Sequence, residues 1–158
     1  MARKFTIKQF EKIENMLKEY TFKQDMIIQD IRTLDEYYGL KGVNYDKVII
    51  NPTNKFNSDV ENQMMSKVSI ENRLSDNKEF IRRLDSALSM LSAEDKQIIE
   101  EYYIKDTGWF SVERRMNSSK RRCQRKRDLA IIRIYEVLYG EKVDKKTGNT
   151  QLSLEIMK

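Results

Sequence analysis

The sequence predicts an all-α fold, and three observations carry that prediction. Apolar residues recur at steps of three and four along most of the chain. Pro occurs once and Gly five times in 158 residues, so little interrupts long helices. Charged residues make up 35% and hydrophobic residues 39%, a balance that suits helices with wide solvated faces. In outline the chain reads as a long antiparallel helical hairpin followed by a C-terminal helix-turn-helix unit.

The first helix begins near Thr6. Thr6-Ile7-Lys8-Gln9 has the form of a capping box, in which two side chains satisfy backbone N–H groups that the helix itself cannot pair. Ile7, Phe10, Ile13, Leu17 and Tyr20 follow at helical spacing, and the stripe resumes at Ile27, Ile31, Leu34 and Tyr38. This predicts one long helix ending at Gly39, with a break near Thr21-Phe22 as its weak point. Residues 39–57, rich in Gly and Asn and holding the single Pro, read as a mobile loop in which Val48-Ile49-Ile50 could form a short extended piece.

A second capping box, Ser58-Asp59-Val60-Glu61, predicts the start of a second long helix. Its stripe is Val60, Met64, Val68, Leu74, Ile81, Leu84, Leu88 and Leu91. Core packing is the first reading of such stripes, and an interface with a second copy of the chain is the other. Ser92 restarts the helical signal, with Glu94 and Asp95 in the first turn where the helix dipole favours acids. Ile98, Ile99, Tyr102 and Tyr103 supply the apolar side of that helix. Asp106-Thr107-Gly108 is turn chemistry. Trp109, Val112 and Met116 mark a short helix, which Asn117-Ser118 breaks. A last helix, capped by Ser118 or Ser119, runs through Cys123, Ala130, Ile131, Ile134 and Leu138 to a C-cap at Gly140. The remainder, 140–158, reads as a flexible tail. The organisation expected is therefore a helical scaffold over 5–91, a helix-turn-helix unit over 92–139 and the tail.

Charge points to function. Ser119-Lys120-Arg121-Arg122-Cys123-Gln124-Arg125-Lys126-Arg127 holds six cations and no anion, whereas the whole chain carries +5, so the rest of the protein sums to −1. A concentrated cationic segment attracts phosphate, because it releases condensed counterions. It lies at the start of a helix that follows a shorter bracing helix, the order in which a helix-turn-helix unit presents its reading helix to the major groove. Steps of three and four place Arg121, Gln124, Arg125 and Asp128 near one stripe. An Arg fork can bond guanine O6 and N7 together, and Gln can pair with adenine N6 and N7. Arg121, Gln124 and Arg125 are therefore assigned to base edges, and Ser119, Lys120, Arg122 and Arg127 to phosphate. Cys123, Trp109, Tyr102 and Tyr103 are read as packing residues.

Enzymatic classes are disfavoured. Histidine is absent, which removes the commonest general base and metal ligand. One cysteine makes neither an internal disulfide nor a metal cluster, and no Gly-rich phosphate loop occurs. No catalytic residue, metal or cofactor is expected. No stretch is apolar enough to span a bilayer, and a single cysteine makes a reducing cytosol the expected compartment.

The pattern Leu91-Ser92, Ile98-Ile99, Tyr102-Tyr103, then Trp109, Val112 and Met116, then Ser119-Lys120-Arg121, Cys123, Arg125, Arg127-Asp128 and Ala130 resembles the ArpU/RinA-type phage transcriptional regulators. Their C-terminal unit is similar to the DNA-reading fourth region of bacterial sigma factors. The resemblance is strongest over 91–139 and implies a DNA-binding activator of phage or prophage late genes. Double-stranded DNA is then the partner of the C-terminal unit, and the scaffold sets spacing, homodimerisation or contact with RNA polymerase. Two other readings stay open from the residues themselves. One is a small terminase subunit that binds phage DNA for packaging, and the other is a helical adaptor whose basic run meets an acidic protein.

Overall fold

The computed structural model describes residues 5–39 and 55–143. The fold is all-α. Helix α1 spans Ile7–Gly39, α2 spans Lys55–Ser89, α3 spans Ala93–Ile99, α4 spans Gly108–Met116 and α5 spans Lys120–Tyr139, with a π-helical turn at Glu100–Ile104 after α3. None of the helices among the described residues is long and apolar enough to cross a membrane.

Local rules set most of these boundaries. The Thr6 N–H donates to Gln9 Oε1 at 2.8 Å, and the Gln9 N–H donates to Thr6 Oγ1 at 3.4 Å, which is the reciprocal capping box expected at the start of α1. Ser92 caps α3 by accepting from the Asp95 N–H at 3.2 Å. Asn117 ends α4 in the left-handed region (φ 46°), and Gly140 ends α5 there (φ 66°). Helix α1 is the one long helix expected, ending at Gly39 and running through Thr21-Phe22 without a break. Helix α2 begins at Lys55, three residues before the expected start at Ser58. Of the loop expected over 39–57, residues 40–54, including Val48-Ile49-Ile50, lie outside the described residues.

The described residues fall into two compact units, 5–22 with 81–143, and 23–39 with 55–80. The division expected at residue 91 therefore falls inside the first unit, because the first turns of α1 pack into the same core as α3 to α5. That core holds Phe5, Phe10, Ile13, Leu17, Leu84, Leu88, Ile98, Ile99, Ile131 and Ile134, all buried. Tyr20 donates to Asp85 Oδ1 at 2.6 Å, and Gln9 Nε2 donates to the Tyr135 hydroxyl at 2.7 Å, tying α1 to α2 and to α5 within this unit. The segment after Gly140 begins attached. The Val143 N–H donates to Glu136 Oε1 at 3.1 Å and the Val143 side chain is buried. The tail expected from residue 140 thus starts no earlier than 144, and 144–158 lie outside the described residues.

In the second unit the two long helices run antiparallel. Lys23, Asp30 and Tyr38 on α1 meet Asn77, Arg73 and Glu71 on α2 in reverse order. Asp30 is buried and holds a two-point hydrogen bond from Arg73, at 3.0 and 2.5 Å. Met64 and Val68 of the expected α2 stripe are exposed.

Candidate nucleic-acid interface

The C-terminal elements pack as the apolar spacing predicts. Ile98 of α3, Val112 of α4 and Cys123 of α5 form a buried cluster, with Tyr102, Trp109 and Met116 packed against it. Tyr102 and Trp109 stack with ring centroids 4.2 Å apart. Burial holds the Cys123 thiol above its ordinary pKa, and its sulfur lies 3.8 Å from the Ser118 carbonyl oxygen, within the packed cluster.

The π-helical turn decides how α3 reaches α4. The Lys105 N–H bonds back five residues to the Glu100 carbonyl at 2.8 Å, and the Thr107 N–H and hydroxyl both donate to the Glu101 carbonyl, at 3.1 and 2.9 Å. The Glu101 side chain is buried. Its Oε1 accepts from Lys105 at 2.6 Å and from Arg115 at 2.9 Å, which fastens α4 to the turn. Its Oε2 is buried without a partner among the described residues. Nothing in the local sequence signals this turn. One extra residue per turn leaves the composition unchanged.

The six cations of the basic run separate into two classes. Lys120, Arg121, Arg122 and Arg125 are exposed, and none of them has an ion pair or hydrogen bond among the described residues. Lys126 and Arg127 are engaged by the protein itself. Lys126 pairs with Glu94 on α3, and that contact holds the Glu94 carboxyl below the usual carboxylate range. Arg127, expected on phosphate, is 7% exposed. Its guanidinium hydrogen-bonds Asp128 Oδ1 from Nε at 2.9 Å and from Nη2 at 2.6 Å, and lies 5.5, 5.9 and 5.3 Å from the rings of Phe10, Tyr102 and Trp109. Asp128, expected on the exposed stripe, is 6% exposed, and burial pushes its carboxyl above the usual range against the pull of Arg127.

Both corrections have one cause. The first turns of α1 cover the flank of α5 that carries these residues. Tyr103 donates to Glu14 Oε1 of α1 at 2.5 Å beside them, and burial raises the Tyr103 phenol. A signal for Arg127 exists in the sequence. Cys123, Arg127, Ala130 and Ile134 recur at steps of four, three and four, which puts the arginine on the packed side. Gln124 is half-buried. The stripe that remains open on α5 is Arg121, Arg125 and Leu129, with Lys120 and Arg122 beside its start.

The start of α5 is also open. Ser119 occupies the N-cap position in extended conformation, and its side chain makes no capping bond. The described residues contain no group of three or more His, Cys, Asp or Glu side chains able to hold a metal ion. What the arrangement can do chemically is present four cations and a hydroxyl without partners among the described residues, at the start of one braced helix.

Residues 9–136 match a family model described as a protein of unknown function (DUF722). No curated protein and no solved structure matches the chain.

Proposed function

The chain belongs to the DUF722 family, and from the geometry of α4 and α5 we propose that it is a sequence-specific, double-stranded DNA-binding regulator of transcription that performs no catalysis. One observation carries this reading. Among the described residues the fold engages two of the six cations of the basic run and leaves Lys120, Arg121, Arg122 and Arg125 exposed and without partners at the start of one helix. Arginines that serve packing find partners, as Arg127 does. A cluster held without partners is charge kept available for an external polyanion.

In this reading α5 enters the major groove with its N-terminal turns foremost, and α4 fixes its angle. Arg121 and Arg125, four residues apart on the open stripe, address base edges, where an Arg fork matches guanine O6 and N7. Half-buried Gln124 contributes only its amide end. Lys120, Arg122 and the Ser119 hydroxyl take backbone phosphates, which set register without reading sequence. Arg127 is withdrawn from the contact set. Its role is to hold α5 against α1, α3 and α4. The resemblance over residues 91–139 supplies the biological setting we adopt, activation of phage or prophage late genes.

The test is enrichment of bound fragments from random-sequence duplex, followed by binding isotherms of the full chain over a salt series. A consensus whose affinity exceeds that of random duplex, with affinity falling steeply as salt rises, is the expected result. Absence of duplex binding at low salt would overturn the proposal.

A further inference from the structure

Helix α4 turns Trp109, Val112 and Met116 inward, and Phe110 and Arg114, four residues apart, outward. Phe110 is 79% exposed. Arg114 is exposed and has no partner among the described residues, whereas its neighbour Arg115 is held by Glu101. The two outward side chains rim a shallow cleft, wide open to solvent, completed by Glu113, Asn117, Ser118 and Ser119. Ser119 is also the first residue of the cationic surface on α5, so cleft and surface are continuous.

We propose that this cleft is a second contact on the same duplex, outside the groove that α5 reads. Arg114 holds a backbone phosphate and the Phe110 ring packs on the adjoining deoxyribose. The inference rests on the DNA-binding reading given above and specifies which further part of the duplex the protein grips. Charge favours this occupant. Among the described residues the cations without a partner at or beside the cleft, Arg114 and Lys120 to Arg122, outnumber its one carboxylate, Glu113. A duplex strand brought to Ser119 by α5 continues past the cleft. A sugar-phosphate unit offers the two chemistries that the rim offers in return, an anion for the guanidinium and an apolar ring face for the phenyl group. The Glu113 carboxylate repels phosphate from its own side of the cleft, which restricts the strand to the Arg114 side. Neither residue reads a base, so the contact adds affinity for every sequence alike.

The experiment measures binding of the full chain to fluorescent cognate and random duplexes over a salt series, with wild type, Arg114→Ala, Phe110→Ala and Phe110→Leu. Arg114→Ala is expected to lower the salt slope by about one unit on both duplexes. Phe110→Ala is expected to weaken both by roughly three- to tenfold with the slope unchanged, and Phe110→Leu to recover part of the loss. Thermal melts matching wild type confirm that these exposed substitutions leave the fold alone. If wild type binds duplex and the Arg114→Ala and Phe110→Ala variants match it in affinity and slope, the cleft does not meet DNA, and the inference fails while the reading of α5 stands. It fails equally if the variants lose only binding to a purified protein such as RNA polymerase. If wild type binds no duplex at low salt, both fall.

Discussion

Arg127 and Asp128, adjacent in sequence, form a buried ion pair on the packed flank of α5, two residues beyond Arg125, which stands exposed and unpaired. One helix thus carries arginines with opposite duties, and substitution separates them. Arg127→Ala leaves the Asp128 carboxylate buried without its partner and empties the space between Phe10, Tyr102 and Trp109. The expected loss of stability is about 3–5 kcal/mol. Arg125→Ala removes a solvated side chain and is expected to change stability by no more than about 0.5 kcal/mol. Urea unfolding of the two variants checks the contrast, and similar losses for both would contradict the assignment.

Binding should sort the open cations in turn. Arg121→Ala and Arg125→Ala are expected to lose about 1–3 kcal/mol of discrimination between cognate and mismatched duplex, each at its own base pair. Lys120→Ala is expected to weaken cognate and random duplex equally and to lower the salt slope by about one unit. Isotherms on cognate, single-mismatch and random duplexes measure both. Equal losses on all three duplexes for the two arginine variants would remove them from base reading.

Local chemistry is legible in this chain, and contacts across long separations are not. The capping side chains at Thr6, Gln9 and Ser92, the break at Asn117 and the stop at Gly140 follow from rules that involve a handful of neighbouring residues. The packing of Val112, Met116 and Cys123 follows from helical periodicity. Asp128 leaves its expected place on the open stripe because α1, more than a hundred residues earlier, covers it. Arg127 leaves the phosphate set for the same reason, and its spacing, which is that of a packed residue, is the sign of this in the sequence. The start of α2 at Lys55 has a different reason. A capping box marks where a helix can begin, not where it must, and this helix starts three residues upstream. The π-helical turn has no signature to read.

Glu101 ties that turn to the bracing helix, so its removal should loosen α4 before it touches α5. Glu101→Gln keeps an acceptor oxygen for Lys105 and Arg115 but removes the charge that strengthens both bonds, at an expected cost of about 2 kcal/mol. Arg115→Ala leaves the bond to Lys105 and is expected to cost about 1 kcal/mol. Denaturant unfolding gives both values, and amide hydrogen exchange should place the earliest loss of protection in Gly108–Met116. Exchange that accelerates first in Lys120–Tyr139 would show that Glu101 supports α5 directly.

The bond between Tyr20 and Asp85 gives stability an alkaline dependence whose sign is fixed. Burial, with the hydrogen bond to Asp85, raises the Tyr20 phenol from 10.0 to about 12. A group whose folded pKa lies above its unfolded value favours the protonated fold. Its contribution is complete below pH 10 and is lost as pH rises through about 12. At neutral pH the net worth of the bond is about 1 kcal/mol, because Asp85 is solvated and retains much of its hydration when the partner is absent. Tyr20→Phe should therefore melt below wild type at pH 8, and the gap should close as pH climbs past the phenol's titration. Thermal melts at intervals from pH 8 upward, with ultraviolet titration of the phenolate, follow both quantities. A gap that stays constant across that range would mean that the hydroxyl contributes packing and no protonation-dependent bond.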